Sequence, residues 1–324
     1  MTRAYDFRPE AGGQSLRAPK PTASQAAGVL IVLKPVGMTS HDVVDAVRRS
    51  ASTRRVGHTG TLDPGATGVL VLCLGQATRI AEFLSEADKE YRVEVAFGRS
   101  TDSGDVYGET VYTGDPGGLS EAAIAASLSD FIGEIEQVPP MTSAVHVGGR
   151  RLYEAARRGE TVEAGPRRVR IDAVDLLEFS AAAARARLHV RCSKGTYIRR
   201  LCHDLGDRLG CGAHAAFMVR TRVGRYPLAD ALTLEELAGL AARGELDSAI
   251  VSPDDALSDL PAVELSAAQR QAVMHGQGLP LFRVPGWQQL VGARLVRLSD
   301  AAGLVALARV DEGILKPFKV LRDG

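Results

Sequence analysis

The chain has 324 residues, of which 45% are hydrophobic and 24% are charged, a balance typical of a globular protein with room for one large and one small domain. Its net charge is zero, which excludes a uniformly basic coat for nucleic acid. No apolar run approaches the ~20 residues of a membrane span, and the N-terminus lacks the apolar core of a signal peptide. We therefore expect a cytoplasmic protein without membrane association.

The charges are distributed unevenly along the chain. Lys and Arg number 3 against 11 Asp and Glu in residues 85–135, 17 against 9 in residues 141–230, and 1 against 7 in residues 231–262. The basic segment is nearly all arginine, and the planar guanidinium binds phosphate in a bidentate manner and stacks on bases. The segment indicates either a local polyanion-binding surface or a solvated surface neutralised by neighbouring acids.

The four cysteines (Cys73, Cys192, Cys202 and Cys211) form no C-x-x-C pair. Structural zinc sites usually have closer ligand spacing, so this pattern favours reduced, mostly buried thiols and no metal.

In chain order, residues 1–26 mix Pro, Gly, Ala, Ser and Arg without periodicity, which predicts a disordered tail. Residues 28–33 (G-V-L-I-V-L) predict a strand. Ser40 can then cap a helix that carries an apolar stripe of valines.

The segment Arg55 to Gly75 reads R-V-G-H-T-G-T-L-D-P-G-A-T-G-V-L-V-L-C-L-G, and four of its glycines surround a single acid, Asp63. Pro64 biases Asp63 toward an extended backbone, so the carboxylate stands on a stiff loop before a buried strand at residues 69–74. An ordinary Asp-Pro turn is the alternative for this segment alone.

Periodicity then predicts a helix at residues 77–85 and a strand at 89–98. A polar loop at 99–108, a strand at 109–113 and a helix at 121–131 follow. Tyr91 lies on the apolar face of the first of these strands, where it serves either the core or a cleft.

Residues 137–159 (Q-V-P-P-M-T-S-A-V-H-V-G-G-R-R-L-Y-E-A-A-R-R-G) predict an exposed, positively charged projection that ends in a short arginine-rich helix. Two alternating strands at 167–179 and 185–192 follow, and then a helix within 192–210. Tyr197 and Arg199 fall in the first turn of that helix, where the backbone amides and the Arg199 charge favour an anion or a carboxylate.

Met218 belongs to a further predicted strand, and residues 233–259 are acidic and helical in pattern. After Pro261 the sequence changes to short strands joined by Gly and Asp turns, which predicts a small β-rich appendage. Its strands are expected at residues 293–298, 304–310 and 315–321.

Several of these segments resemble the bacterial tRNA pseudouridine-55 synthases (TruB type). The signature is G-H-T-G-T-L-D-P-G-A-T-G, and five further segments agree in the same order across residues 27–230. They are G-V-L-I-V-L-K-P-V-G-M-T-S, K-E-Y-R-V-E-V-A-F-G, T-D-S-G-D-V-Y-G, P-P-M-T-S-A-V-H-V-G-G-R-R-L-Y and C-S-K-G-T-Y-I-R-R-L-C-H-D-L-G, with G-C-G-A-H after them. Several motifs in the same order match by chance far less often than a single motif does.

The resemblance implies an α+β pseudouridine synthase fold, in which a mixed, mainly antiparallel sheet is flanked by helices and loops. It implies a catalytic domain at 27–260 with an RNA-clamping insertion at about 137–165, and a small PUA-like domain at 261–324. The expected reaction converts uridine to pseudouridine at position 55, in the T-loop of tRNA, without a cofactor. We expect tRNA (T-stem and loop) as the partner, no obligate protein partner, and a monomer.

By the same resemblance, Asp63 is the catalytic aspartate, Arg199 pairs with it, and Tyr91 stacks on the uracil and acts late as an acid or base. Tyr197 and Met218 help to wall the uracil pocket, and His58 fills the space left by the flipped base. Lys34 and Asp105 have supporting roles.

Two features depart from the family pattern. His146 stands where a lysine is usual in the projection, and the C-terminal segment resembles the PUA-like domain only in reduced form. A non-catalytic RNA-binding module is one alternative function. A nucleotide- or zinc-dependent base-modifying enzyme is the other, although the chain has neither a G-x-x-x-x-G-K-[ST] loop nor an H-x-E with P-C-x-x-C.

Overall fold

The computed structural model describes residues 27–140, 143, 158 and 164–321, together with the backbone of 146–147 and 150–151. The described chain is α+β, with a nine-stranded sheet, a five-stranded sheet and two short hairpins. The strands are β1 Gly28–Lys34, β2 Val56–His58, β3 Thr67–Leu74, β4 Lys89–Phe97, β5 Arg99–Thr101, β6 Thr110–Thr113, β7 Gly133–Gln137, β8 His146–Val147, β9 Arg150–Arg151, β10 Arg167–Ser180, β11 Arg185–Cys192, β12 Ala213–Val223, β13 Tyr226–Pro227, β14 Ala262–Glu264, β15 Leu279–Pro280, β16 Val296–Asp300, β17 Gly303–Asp311 and β18 Ile314–Val320.

Seven α-helices lie within the described residues. They are α1 Ser40–Ser50, α2 Ala81–Ser85, α3 Glu121–Ser129, α4 Ile198–Arg208, α5 Leu234–Ala242, α6 Pro253–Ala256 and α7 Ala267–Met274. None of these helices combines the length and the apolar composition that crossing a bilayer requires.

The large sheet has the order β1-β3-β12-β4-β11-β10-β7, with β2 on β3 and β13 on β12. Strand β12 runs parallel to β3 and antiparallel to β4. The backbones of β3 and β12 approach so closely at Gly68 (φ +116°) that a Cβ there would lie 2.2 Å from the Arg220 carbonyl oxygen. This contact joins the strand that follows the Asp63 loop to the strand that carries Met218.

One face of the sheet packs on helices α3 and α4 and forms the largest apolar core. Strand alternation places Val93 and Val95 of β4 on that face, beside Leu188 of β11 and the buried stripe Leu201 and Leu205 of α4. The core therefore fixes α4, the helix that carries Arg199, against the sheet.

The second sheet has the order β14-β16-β17-β18-β15 and spans Ala262–Val320. Leu307 of this sheet and Leu321, which directly follows β18, join a core cluster with Val29 and Val71 of the large sheet. The two sheets are thus packed directly on one another.

Local structure differs from the sequence expectations in several places. The cap of α1 is Thr39, not Ser40, because the Thr39 side chain accepts from the Asp42 amide, whereas the Ser40 hydroxyl is engaged elsewhere. The predicted helix at 77–85 begins with a 3₁₀ helix at Gly75–Ile80. The expected polar loop at 99–108 contains β5, which pairs with β6. The arginine-rich helix predicted to end at Gly159 lies outside the described residues.

Candidate active site

The Asp63 loop joins β2 to β3 and is fastened on both sides of the acid. The Ser40 hydroxyl accepts from the Leu62 amide at 2.8 Å and donates to the Leu62 carbonyl at 3.1 Å. The Lys34 ammonium donates to the Pro64 carbonyl at 3.4 Å. Because the residues before and after Asp63 are both held, the carboxylate has little freedom to swing.

A buried arginine from β12 holds the first part of the same loop. The Arg220 side chain is 2% exposed, and its Nε donates to the Val69 carbonyl at 2.7 Å. Its Nη1 and Nη2 donate to the carbonyls of Thr61 at 3.2 Å and Gly60 at 3.1 Å. One guanidinium therefore ties the start of β3 to the residues just before Asp63.

Arg199 contacts Asp63 through a two-point ion pair. Its Nε lies 2.9 Å from one carboxylate oxygen of Asp63 and its Nη2 lies 3.2 Å from the other. The remaining Nη1 donates to the Ser103 carbonyl at 2.8 Å and to Asp105 at 3.3 Å. The Arg199 side chain is 5% exposed and that of Asp63 is 34% exposed, so the cation is buried while the acid still reaches solvent. Parallel N–H···O bonds of this kind fix the direction of a carboxylate.

Burial is the largest influence on the pKa values of Asp63 and of Lys34, the two charged groups at this loop. The pKa of Asp63 is raised above its usual value, chiefly by burial; Arg199 and Lys34 oppose the rise, and Asp105 adds to it. Burial lowers the pKa of Lys34 to about 8, against the opposing effect of Asp63. The cations around Asp63 therefore limit, but do not cancel, the rise that burial causes in its pKa.

Tyr91 lies inside the same region, 8% exposed, in the core cluster that includes Leu62 and Met218. Burial raises the pKa of its phenol, and the Arg220 guanidinium opposes that rise. A phenol with a raised pKa stays protonated near neutral pH and can donate a proton.

A small, partly open cleft lies beside the acid. Among the residues that sequence reasoning singled out, Asp63, Arg199, Asp105 and Met218 line it. Behind it, Tyr91 and Lys34 are buried, and the Lys34 ammonium also donates to the Met38 carbonyl at 2.6 Å. The structure thus gathers these six residues around one loop.

The other two predicted residues are not among those that line this cleft. His58 is half-buried at the end of β2. Tyr197 is the residue before α4, and its backbone amide and carbonyl are both hydrogen-bonded by the side chain of Gln137, at 2.9 and 3.3 Å. Within the described residues, Asp63 therefore receives its hydrogen bonds from Arg199 rather than from the amides of this helix.

The four cysteines are buried and free of disulfides. Burial raises the pKa of Cys73, Cys192 and Cys202 to about 12, which keeps those thiols protonated. Within the described residues one group of possible metal ligands, His203, Asp204 and Asp207, gathers on α4. Its members are already paired, His203 with Asp207 at 3.1 Å and Asp204 with Arg200 at 2.7 Å.

Most described arginines of the basic segment 141–230 are neutralised by acids. The pairs are Arg168–Glu136, Arg170–Asp88, Arg185–Glu94, Arg187–Glu178, Arg200–Asp204, Arg208–Asp130 and Arg222–Glu90. The neutralised surface accounts for these residues. Arg167 and Arg191 are exposed and, within the described part of the chain, have no acid partner, so they are candidates for phosphate contacts.

Sequence reasoning missed two residues that build this site, Ser40 and Arg220. Both are buried polar side chains whose partners are mainly backbone groups, at 3% and 2% exposure. The sequence has two adjacent N-cap residue types, Thr39 and Ser40, at the start of α1, and only one of them can cap the helix. The other hydroxyl was therefore predictably available for a different hydrogen bond. No comparable sequence signal distinguishes Arg220 from its neighbours.

The sequence matches two protein-family models and many named relatives. Residues 48–198 match the N-terminal domain of the TruB family pseudouridylate synthases, and residues 199–258 match the tRNA pseudouridylate synthase B C-terminal domain. The chain is 49% identical over 288 residues to tRNA pseudouridine synthase B of Pelotomaculum thermopropionicum, covering 87% of this chain and 90% of that protein. It is 51% identical over 261 residues to the protein of the same name from Symbiobacterium thermophilum, covering 80% and 85%.

Solved structures share the fold. A Cbf5-Nop10-Gar1 complex matches with a TM-score of 0.69 and 28% identity, over 91% of this chain and 85% of that chain. An H/ACA RNP bound to a substrate RNA containing 2'-deoxyuridine matches with a TM-score of 0.67 and 26% identity, over the same shares. The α+β fold expected from the sequence is therefore confirmed, and the chain belongs to the TruB family of pseudouridylate synthases.

Proposed function

We propose that this enzyme isomerises uridine 55 in the T-loop of tRNA to pseudouridine. The observation that carries the proposal is the partly exposed carboxylate of Asp63, held by two of the three nitrogens of a buried guanidinium at 2.9 and 3.2 Å. The name of the relatives, tRNA pseudouridine synthase B, supports tRNA as the substrate.

The reaction breaks the bond between N1 of uracil and C1′ of ribose, turns the base, and joins C5 to C1′. The proton on C5 is lost and N1 gains one, so atoms and electrons balance without a redox partner or cofactor. The carboxylate of Asp63 can attack C6 of the base, attack C1′, or abstract a ribose proton. All three roles require the ionised form, which Arg199 and Lys34 favour.

The target base must leave its stack to reach Asp63, at a cost of a few kcal/mol. We assign the vacated space to His58, the face of the flipped uracil to Tyr91, and the pocket wall to Met218 and Tyr197. Once the C5–C1′ bond has formed, we assign Tyr91 a late role as an acid or base, in the loss of the C5 proton or the gain of a proton at N1. Lys34, whose ammonium lies on the Pro64 carbonyl, supports the loop that carries Asp63.

We propose that the T-stem and loop bind to the insertion at about 137–165 and to exposed arginines such as Arg167 and Arg191. Much of the insertion lies outside the described residues. Folded RNA is read by shape and by phosphate contacts, which suits a projecting basic segment. We propose that the enzyme acts as a cytoplasmic monomer without an obligate protein partner or cofactor.

We also propose a catalytic domain at 27–260 and a small PUA-like domain at 261–324. The separate five-stranded sheet of Ala262–Val320 supports this division. The proposed disordered tail, residues 1–26, lies outside the described residues.

Release of tritium from C5 tests the function directly, because joining C5 to C1′ expels that proton. A tRNA transcript labelled with [5-³H]uridine should release one equivalent with the wild-type protein, and a transcript with cytidine at position 55 should release none. Asp63→Asn should abolish release while tRNA binding stays within several-fold. The exposed Asp259→Asn is the matched control and should behave as wild type.

Normal turnover by Asp63→Asn would refute the catalytic assignment. Release from the transcript with cytidine at position 55 would instead refute the assigned target and leave the role of Asp63 standing.

A further inference from the structure

Tyr107 places an aromatic ring in solvent at the edge of the Asp63 cleft. The residue is 70% exposed and lines that cleft together with its neighbour Val106, which is 42% exposed. Single exposed apolar residues are normal on a protein surface. Together with Phe217, which is 46% exposed and lines the same cleft, these two residues form an apolar rim around the charged groups of the site.

The Tyr107 ring rests on the loop that carries the acid. A Cβ added to Gly65, two residues after Asp63, would lie 2.1 Å from Cε2 of the ring. The absence of a side chain at Gly65 is therefore what allows the ring to lie against this backbone. The ring is packed on one side by the loop and is open to water over most of its remaining surface.

The backbone of Tyr107 is tied to the ion-pair network of the site. Its amide donates to one carboxylate oxygen of Asp105 at 3.0 Å, and the other oxygen accepts from Arg199 at 3.3 Å. The Ser103 hydroxyl also donates to Asp105, at 2.7 Å. The ring is thus held in a fixed position relative to Asp63, which reduces the entropy lost when a ligand packs on it.

We propose that Tyr107 is a stacking residue for an unpaired base next to the target uridine. The proposal rests on the proposed function, because it requires an RNA whose target uridine occupies the Asp63 site. Unpaired bases of RNA loops stack on aromatic side chains that protein surfaces present to them. The target itself is assigned to the inner wall with Met218, so the outer ring is left for a neighbouring base.

The test uses a T-arm stem–loop in which 2-aminopurine replaces the nucleotide on either side of the target uridine. Stacking on Tyr107 should quench its fluorescence when the protein binds. Tyr107→Ala should remove the quenching at one of the two positions and weaken binding about tenfold, which corresponds to ~1.4 kcal/mol. Tyr107→Phe should retain both properties because it keeps the ring, and Tyr107→Leu should lose the quenching although it remains apolar.

Tyr112 provides a matched control. It is also an exposed tyrosine, at 49%, but lies on β6 outside the cleft, with its hydroxyl bonded to the Gly210 carbonyl at 3.2 Å. Tyr112→Ala should leave quenching and affinity at the wild-type values.

Wild-type quenching and affinity in Tyr107→Ala would overturn the proposal. So would a loss in Tyr107→Phe as large as that in Tyr107→Ala, since that would assign the effect to the hydroxyl. If the wild-type protein binds the stem–loop but releases no tritium from C5, the proposed target fails, and the fluorescence comparison still decides the role of Tyr107.

Discussion

Replacing Arg220 with methionine should loosen the loop that presents Asp63 without removing any group that touches the substrate. The substitution keeps an apolar stem of similar length but takes away three donors, to the carbonyls of Val69, Thr61 and Gly60. It also removes the guanidinium charge that lowers the pKa of the buried Tyr91 phenol. We therefore expect both stability and turnover to fall.

The magnitude follows from where the three carbonyls lie. Val69 is fully buried, so its carbonyl would lose a charge-assisted hydrogen bond that water cannot replace, at about 1.5–3 kcal/mol. Thr61 is exposed and Gly60 is half-buried, so water can replace much of what those carbonyls lose. The expected loss in the free energy of unfolding is therefore about 2–3 kcal/mol, nearly all of it from one bond.

Arg222→Met on the same strand is the control. Arg222 is 42% exposed and pairs with Glu90 at 3.4 Å, and exposed ion pairs of this kind contribute at most ~1 kcal/mol. Denaturant unfolding measures the stability of both variants, and single-turnover tritium release measures the chemical step. If Arg220→Met unfolded at the same denaturant concentration as Arg222→Met and turned over at the wild-type rate, the anchoring role of Arg220 would be wrong.

Four further results are expected. Arg199→Lys keeps the charge beside Asp63 but loses the two-point contact, so single-turnover tritium release should slow by about 10²-fold; an unchanged rate would show that the geometry of the pair is unimportant. Because Lys34 has a pKa of about 8, wild-type turnover should fall as pH rises through 8, whereas Lys34→Arg should hold its relative activity to higher pH; coincident pH profiles would contradict this. His58→Ala should slow turnover far less than Asp63→Asn, and equal losses would mean that His58 takes part in the chemistry. The affinity for tRNA should fall with salt by a log–log slope of about −0.7 to −0.9 per phosphate contacted, so a flat response would exclude a phosphate-binding role for Arg167 and Arg191.

The strands of the large sheet were predictable because strands buried on one face have alternating apolar residues and strands buried on both faces have continuous apolar runs. Strands β1 and β4 begin and end within one residue of the predicted bounds, as expected where one or both faces are packed. Helix α7 was missed because its only fully buried residue is Val273, too little for a visible stripe. Its capping box, Ser266 with Gln269, was the available signal.

The pairing of Asp63 with Arg199 came from motif resemblance alone, since 136 residues separate them. Local patterns place each residue in a loop or on a helix, but they contain no information on which of many arginines meets the acid. The long-range contact arises because α4 packs on the sheet face to which β4 contributes side chains. That packing depends on the topology of the whole domain.

Arg220 shows why charge patterning could not complete the site. Regular alternation would place Arg220 and Arg222 on the same face of β12. The structure has a register shift between them, so that Arg220 lies opposite Tyr91 and Arg222 opposite Glu90, on the other face. No local residue pattern predicts this register shift. Because of it, Arg220 lies in the core at 2% exposure and Arg222 lies at the surface. Two arginines that are equivalent in the sequence thereby receive opposite tasks, one holding the Asp63 loop and the other pairing with an acid at the surface.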